Sequence, residues 1–369
     1  MSRAVFFGNA LVLGIFWSPI LLAWSLVWYR FRDAPNLVLW ITLAVLLGLI
    51  AVSVTWFTLR AIRTRSDRLP WYLVIGPRGS GKATLLKTSG LRPLSVQDDE
   101  SLVAQRSIIL EGIGGFVLDD AQDTDTESRQ QFLYGLRQFL RAKSLKGIIA
   151  TLEAEVALDA EGNQEQAEAL RDHLSEISEL LGVHLPVYLV ITKCDCLPGF
   201  LPFFANLPPA ERDEVWGVTL PVGSPRHTLA SFRRECHTLQ SAIDERRLGC
   251  MGSDSITANK AIYHFPMRFR DLCNALGGFI QTLLAGQEGW SYPVVRGYYW
   301  TSAAQPKAED LQCSFFVKEL LSKVLRGDLA LAQPTRKAMR QRWTRRMALS
   351  GIATLIGSLL VWALPNFSG

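Results

Sequence analysis

Charged residues are sparse in this sequence: Asp, Glu, Lys and Arg make up 20% of it, against 49% hydrophobic residues. That balance excludes a disordered or linker-type chain. It is also high in apolar content for a purely water-exposed protein, so membrane segments are the first thing to seek. Cysteine is scarce as well. The six cysteines all fall between Cys194 and Cys313 and none forms a CxxC pair, which excludes a disulfide-rich secreted scaffold. Cys194-x-Cys196 lacks the second pair that a zinc site of this kind needs. The histidines (His173, His184, His227, His237 and His264) are scattered without metal-cage spacing, and none is assigned a role. There is no Ser/His/Asp or Cys/His arrangement, no internal repeat and no low-complexity tract. The 369 residues still leave room for one or two domains with a sizeable core.

Acidic residues are nearly missing from the two ends. Residues 1–68 hold seven basic residues and two acids, Asp33 and Asp67, and residues 334–369 hold six basic residues and no acid. The middle keeps 26 of the 39 basic and 32 of the 34 acidic residues, a net of −6. The basic balance of the whole chain therefore belongs to its ends, and a general nucleic-acid-binding role is excluded for the middle.

Three long runs carry no charge: Val5 to Tyr29, Leu37 to Leu59, and Met347 to Ala363. The first two are long enough to cross a bilayer as helices and the third is slightly short. The short link Arg30 to Asn36 makes the first two a hairpin. Arg60, Arg63, Arg65 and Arg68 follow the second run, and six basic residues from Arg336 to Arg346 precede the third. The positive-inside rule then puts the middle region in the cytoplasm, the N-terminus inside and the C-terminus outside. Arg30 and Arg32 lie outside and are outnumbered. None of the three runs carries a charge or a His, which fits a transporter poorly.

The middle alternates strands and helices. Trp71-Tyr-Leu-Val-Ile75 reads as a buried strand, and Gly81 to Ser89 as a helix start. Ser107 to Leu110 and Phe116 to Leu118 read as a hairpin, and Glu127 to Arg141 as an amphipathic helix. A strand over Gly147 to Leu152, a helix over Glu165 to Leu181 and strands over Val187 to Thr192 and Trp216 to Leu220 follow. Beyond residue 222 a helix at Leu229 to Leu248, a strand-like Ala261 to Phe265, a helix at Met267 to Leu284, a strand at Val294 to Thr301 and a helix at Phe315 to Leu325 are expected. This pattern predicts a three-layer α/β domain with a largely parallel sheet and an α-rich extension, inserted between transmembrane helices. The expected boundaries are a membrane hairpin over 1–60, the α/β domain over 61–222, the extension over 223–333, and a basic flank with a third span over 334–369.

Two motifs carry chemistry. Gly76-Pro-Arg-Gly-Ser-Gly-Lys-Ala83 follows an apolar strand and opens a helix, as a phosphate loop must. Gly76, Gly79 and Gly81 let backbone N–H groups around Ser80 wrap an anion, and Lys82 reaches terminal phosphates. The last position departs from the pattern: Ala83 stands where Ser or Thr would hold Mg²⁺, and Thr84 lies about 100° further round the helix. The other reading of the loop is an inherited turn that has lost metal-dependent hydrolysis. The second motif, Thr192-Lys193-Cys-Asp195 after a buried strand, matches the guanine-reading pattern, in which the Asp pairs with the base and the Lys stem packs on the ring. It can also be read as a polar strand exit. Between them, Asp119 ends a strand where a GTPase-like protein contacts Mg²⁺ through water, but the Gly expected three residues later is Gln122. Asp119 can equally begin an exposed acidic loop with Asp123, Asp125 and Glu127. The candidate nucleotide-binding residues are thus Gly76, Gly79, Ser80, Gly81, Lys82, Ala83, Thr84, Asp119, Thr192, Lys193 and Asp195, for GTP or ATP. No catalytic or metal-ligating residue is assigned, and Ala83 makes Mg²⁺ doubtful.

The arrangement resembles the N-terminal third of the IcmF/TssM family of type VI secretion inner-membrane components. The likeness rests on Trp71 to Gly76 with Leu85, Leu86, Gly90 and Leu91; on Phe116 to Asp119; and on Pro186 to Asp195 with Leu197 to Phe200. Trp216 to Pro221, Ile262 to Pro266 and Arg296 to Ser302 continue it in the same order. It implies a P-loop NTPase-like cytoplasmic domain and a structural role in a trans-envelope complex that docks the baseplate. The implied partners are a TssL-type inner-membrane protein, a TssJ-type outer-membrane lipoprotein reached through a periplasmic part beyond Gly369, baseplate proteins, the lipid bilayer and further copies of the chain. Two functions follow as expectations: a docking platform with a degenerate nucleotide site, which Ala83 and Gln122 favour, or a GTPase/ATPase whose cycle drives a conformational change.

Overall fold

The computed structural model describes residues 69–334 except 95–101, 112, 120–125, 141–143, 222–224, 253–254, 286–293, 304–313, 326–330 and 332, together with Arg340 and Thr344. The three expected membrane spans, their basic flanks apart from Arg340, and Gln122 lie outside the described residues. Among the described residues, no helix is long and apolar enough to cross a membrane.

In chain order, strand β1 (Pro70–Ile75) leads through the Gly76 loop into helix α1 (Lys82–Lys87) and β2 (Pro93–Leu94). Then come α2 (Leu102–Gln105), β3 (Ser107–Leu110), β4 (Gly114–Asp119), α3 (Thr126–Phe139) and β5 (Ser144–Glu153). Helices α4 (Ala154–Leu158) and α5 (Ala160–Leu181) precede the short β6 (Val183–His184) and the central β7 (Pro186–Thr192). A 3₁₀ turn, Cys194–Cys196, leads to α6 (Phe200–Phe204), α7 (Pro209–Asp213) and β8 (Gly217–Thr219). The long helices α8 (Pro225–Cys250) and α9 (Ile256–Leu284) precede β9 (Val294–Trp300), β10 (Ser302–Ala303), β11 (Ser314–Phe315), a π-helical turn at Leu320–Val324 and β12 (Gln333–Pro334). Residues Leu69–Thr335 form one compact unit.

Eight strands make the main sheet, in the order β2-β3-β4-β1-β5-β7-β9-β8. The five central strands, β4 to β9 in that order, run parallel. The β3–β4 hairpin and β8 add antiparallel edges. Both faces of the parallel strands are covered, so their sequences read as unbroken apolar runs. Alternation sends Leu73, Ile75, Val117, Ala150 and Ile191 to the face packed by α3, α5 and α9, and Tyr72, Val74, Phe116, Ile149 and Val190 to the face shared with Leu85 and Leu86 of α1. The sheet grows from β1 in both directions, toward β4 and toward β5. The crevice above β1 and β5 is therefore the topological switch point, where ligands bind in open α/β sheets.

The stretch beyond residue 222 shares this sheet, because β9 sits between β7 and β8. Two expected elements are corrected there. Ala261 to Phe265 is not a strand but the interior of α9, which runs unbroken through Pro266. Ile262, Phe265, Phe269, Leu272, Leu276, Ile280 and Leu283 are all buried. Their spacing of three and four residues is one helical stripe, and its packing outweighs the backbone bond that Pro266 cannot make. Phe315 to Leu325 is not one helix: Ser314–Phe315 pairs with β10, and Phe316 turns the chain with φ 62° before the helical turns that follow.

Candidate functional site

The Gly76–Lys82 loop leaves the C-terminal end of β1 at the switch point. Gly79 and Gly81 take φ of +82° and +80°, a region in which a Cβ is strained. Gly76 needs its missing side chain for another reason: a Cβ there would lie 2.1 Å from Thr151 Oγ1 and 2.9 Å from the Thr151 carbonyl oxygen. The loop is thus pressed against β5. Thr151 donates its hydroxyl to Ile75 O at 3.1 Å and lies 2.8 Å from the buried Ser80 hydroxyl. Lys82 is 6% exposed, and its ammonium folds back over the loop to donate to Gly76 O at 2.5 Å and Pro77 O at 2.6 Å. Ala83 is exposed and Thr84 half-buried.

The second motif meets the first directly. Thr192, at the end of β7, donates its hydroxyl to Ser80 O at 2.8 Å, and its side chain faces Gly81. Lys193 takes the left-handed conformation, φ 56°, and pairs with Glu153 at 2.8 Å. The carboxylate of Asp195 accepts from Ser302 Oγ at 2.6 Å. The backbone draws β7 and the end of β9 together, since Thr301 N–H donates to Ile191 O at 2.7 Å and Cys194 N–H to Thr301 O at 3.2 Å. Burial and the nearby Asp195 and Glu155 carboxylates raise the Cys196 thiol pKa, and complete burial raises that of Cys194.

Asp119 has a partner on another element, helix α5. Asp119 itself is not exposed: both Asp119 and His173 of α5 have 0% exposure, and His173 Nε2–H donates to Asp119 Oδ2 at 2.7 Å. Helix α5 is fixed by an Asp159 cap on Gly162 N–H and ended by Gly182 at φ 64°, and His173 lies beside its buried Leu170, Leu174 and Ile177 stripe. Sequence reading gave His173 no role and missed Glu153 and Ser302. The signal for Ser302 was present, as a Thr-Ser-Ala segment at the end of a buried strand. For His173 there was none beyond its place on an apolar helix face.

The fit of ligands to these residues divides. The glycine-bearing loop, Lys82 and the braced Asp195 suit a nucleotide. Mg²⁺ is not suited: an exposed methyl stands at the ligand position, and the strand-end carboxylate is sealed against an imidazole. Among the described residues, no group of three or more His, Cys, Asp or Glu side chains comes together to hold a metal ion.

Loop, strand order and the second motif define the class: an α/β domain of the P-loop type. The sequence model of the IcmF-related N-terminal domain matches residues 122–352, and the chain belongs to that family. It is 28% identical over 333 residues to the type VI secretion system component TssM1 of Pseudomonas aeruginosa, an alignment covering 78% of this chain. The chain spans 30% of that relative's length. Among solved structures it is similar to a small COPII coat GTPase SAR1 from Encephalitozoon cuniculi in complex with GDP, at 15% identity over 40% of this chain and 61% of that one, with a TM-score of 0.23. It is also similar to a signal recognition particle receptor SRb-GTP/SRX complex from Chaetomium thermophilum, at 19% identity over 37% of this chain and 75% of that one, with a TM-score of 0.25. The fold assignment rests on the sheet order and the loop, not on these two likenesses.

Proposed function

We propose that this chain is an inner-membrane subunit of a type VI secretion complex whose α/β domain is a docking platform. In this reading the domain faces the cytoplasm and meets baseplate proteins and a TssL-type partner. Further copies of the chain and a TssJ-type lipoprotein complete the envelope-spanning assembly. Family membership and the TssM1 likeness support the setting. Support for a platform rather than a motor comes from one observation. The Lys82 ammonium closes the loop onto its own carbonyls, Gly76 O and Pro77 O, beside a metal position filled by Ala83.

A bound GTP or ATP would be a static ligand in this reading. Backbone N–H groups from Gly79 to Thr84 and the Lys82 ammonium would hold its phosphates, with Lys193 and Asp195 at its base. Such a ligand supplies only negative charge and a flat ring, and this chain's residues bind and orient it. Replacing Lys82 with Ala is expected to leave complex assembly and secretion largely intact in cells lacking the native protein. Near-complete loss of secretion would overturn the platform reading. It would favour the second one, a Mg-dependent GTPase or ATPase cycle, of which the Ser302 brace on Asp195 supports the nucleotide-binding step alone.

A further inference from the structure

The strand-end acid next to a phosphate loop ordinarily holds the Mg²⁺ shell, and here the whole neighbourhood of that acid is arranged differently. Asp119 is the last residue of β4 and pairs in register with Ile75, one residue before the loop. Its distance from the loop along the sheet is therefore what a metal-holding acid needs. Its direction is not. Alternation from Val117 turns Asp119 to the face packed by α5, whereas α1 packs on the face that carries Phe116. There His173 Nε2 binds its carboxylate at 2.7 Å with both side chains at 0% exposure. A hydrated cation cannot reach an oxygen so enclosed. Glu176 Oε2, paired with Arg129 at 3.0 Å, lies 3.9 Å from His173 Nδ1, a buried nitrogen with no hydrogen-bond partner among the described residues.

We propose that His173 withdraws Asp119 from the loop, so that a phosphate-bearing nucleotide held at Gly76–Lys82 binds without any divalent cation. This makes His173 a positioning residue, acting through Asp119. The inference rests on the reading that the loop still takes a nucleotide. It goes beyond the Ala83 argument, because it predicts that restoring the missing hydroxyl does not restore the metal.

The test uses the full chain in detergent, titrated with GDP in Mg²⁺ and in EDTA. The expected result is affinities within about twofold of each other, and a Mg²⁺-dependent gain of about tenfold, 1.4 kcal/mol, overturns the proposal. Ala83→Ser alone is expected to confer no Mg²⁺ dependence, and Ala83→Ser with His173→Leu to confer it. Dependence in the single variant overturns the role of His173. Ala83 is exposed, so the single variant gives a result even where the double one fails to fold. A chain that binds no GDP under either condition removes the nucleotide reading instead. The latch is then read by itself in ¹⁵N-histidine NMR, with His173→Gln assigning the signal. A protected Nε2–H proton unshifted by saturating Mg²⁺ supports it, and an absent or Mg²⁺-shifted proton overturns it.

Discussion

The hydroxyl of Ser302 donates to the carboxylate of Asp195 at 2.6 Å across 107 residues of sequence. On the proposed reading, in which Asp195 meets two donors of a purine edge, the carboxylate gains from being held in one orientation before the base arrives. A charge-assisted bond of this kind contributes about 1.5–3 kcal/mol. Ser302→Ala is therefore expected to weaken GDP binding by roughly tenfold and to affect ADP binding less. Competition between the two nucleotides on the wild-type and variant chains checks this, and an equal effect on both would remove Asp195 from base reading.

Thr192 joins the two motifs through its bond to Ser80 O. Thr192→Val keeps the shape and removes the donor, leaving a buried carbonyl with one partner fewer. The expected cost is about 1–3 kcal/mol of stability, read by denaturant unfolding of the full chain. An unchanged midpoint would mean that the loop is held by Thr151 and Lys82 without it.

Cys194 and Cys196 sit one residue apart yet differ in access, at 0% exposure and exposed respectively. Both thiol pKa values are raised, Cys196 first by partial burial and then by the Asp195 and Glu155 carboxylates. The reactive species is the thiolate. Cys196 is accordingly expected to alkylate more slowly than a free thiol, at a rate still climbing above the usual thiol pKa. Cys194 should label only on unfolding. Peptide mapping after iodoacetamide treatment reports both, and equal native labelling would contradict the burial of the β7 exit.

Reading by sequence worked where a single segment carried its own signal. The run from Trp71 to Lys82 shows strand, glycine loop and helix start together, and the parallel core follows from apolar runs about as long as strands. It failed where distant segments meet. Asp119 and His173 are 54 residues apart, and neither local polarity nor periodicity reveals that they share a face. Helix α9 was misread because Pro266 is a strong local breaker, while the packing that overrides it comes from α5 and α8. Ser302 was legible as part of a segment but not as a partner of Asp195, which only the pairing of β7 with β9 creates.

The position of β9 bears on how the chain is made. Among the described residues strand β8 hydrogen-bonds only to β9, and β9 lies between it and β7. From the end of β7 at Thr192 to the end of β9 at Trp300 the ribosome must add 108 residues, which takes roughly 5–20 s at the usual rate. Through that interval β7 has an open parallel edge, made of seven buried residues in the finished fold. Such an edge is a template for wrong pairing. The nascent domain thus passes through a defined window of exposure, in which a chaperone or rapid helix packing by α8 and α9 would decide its yield.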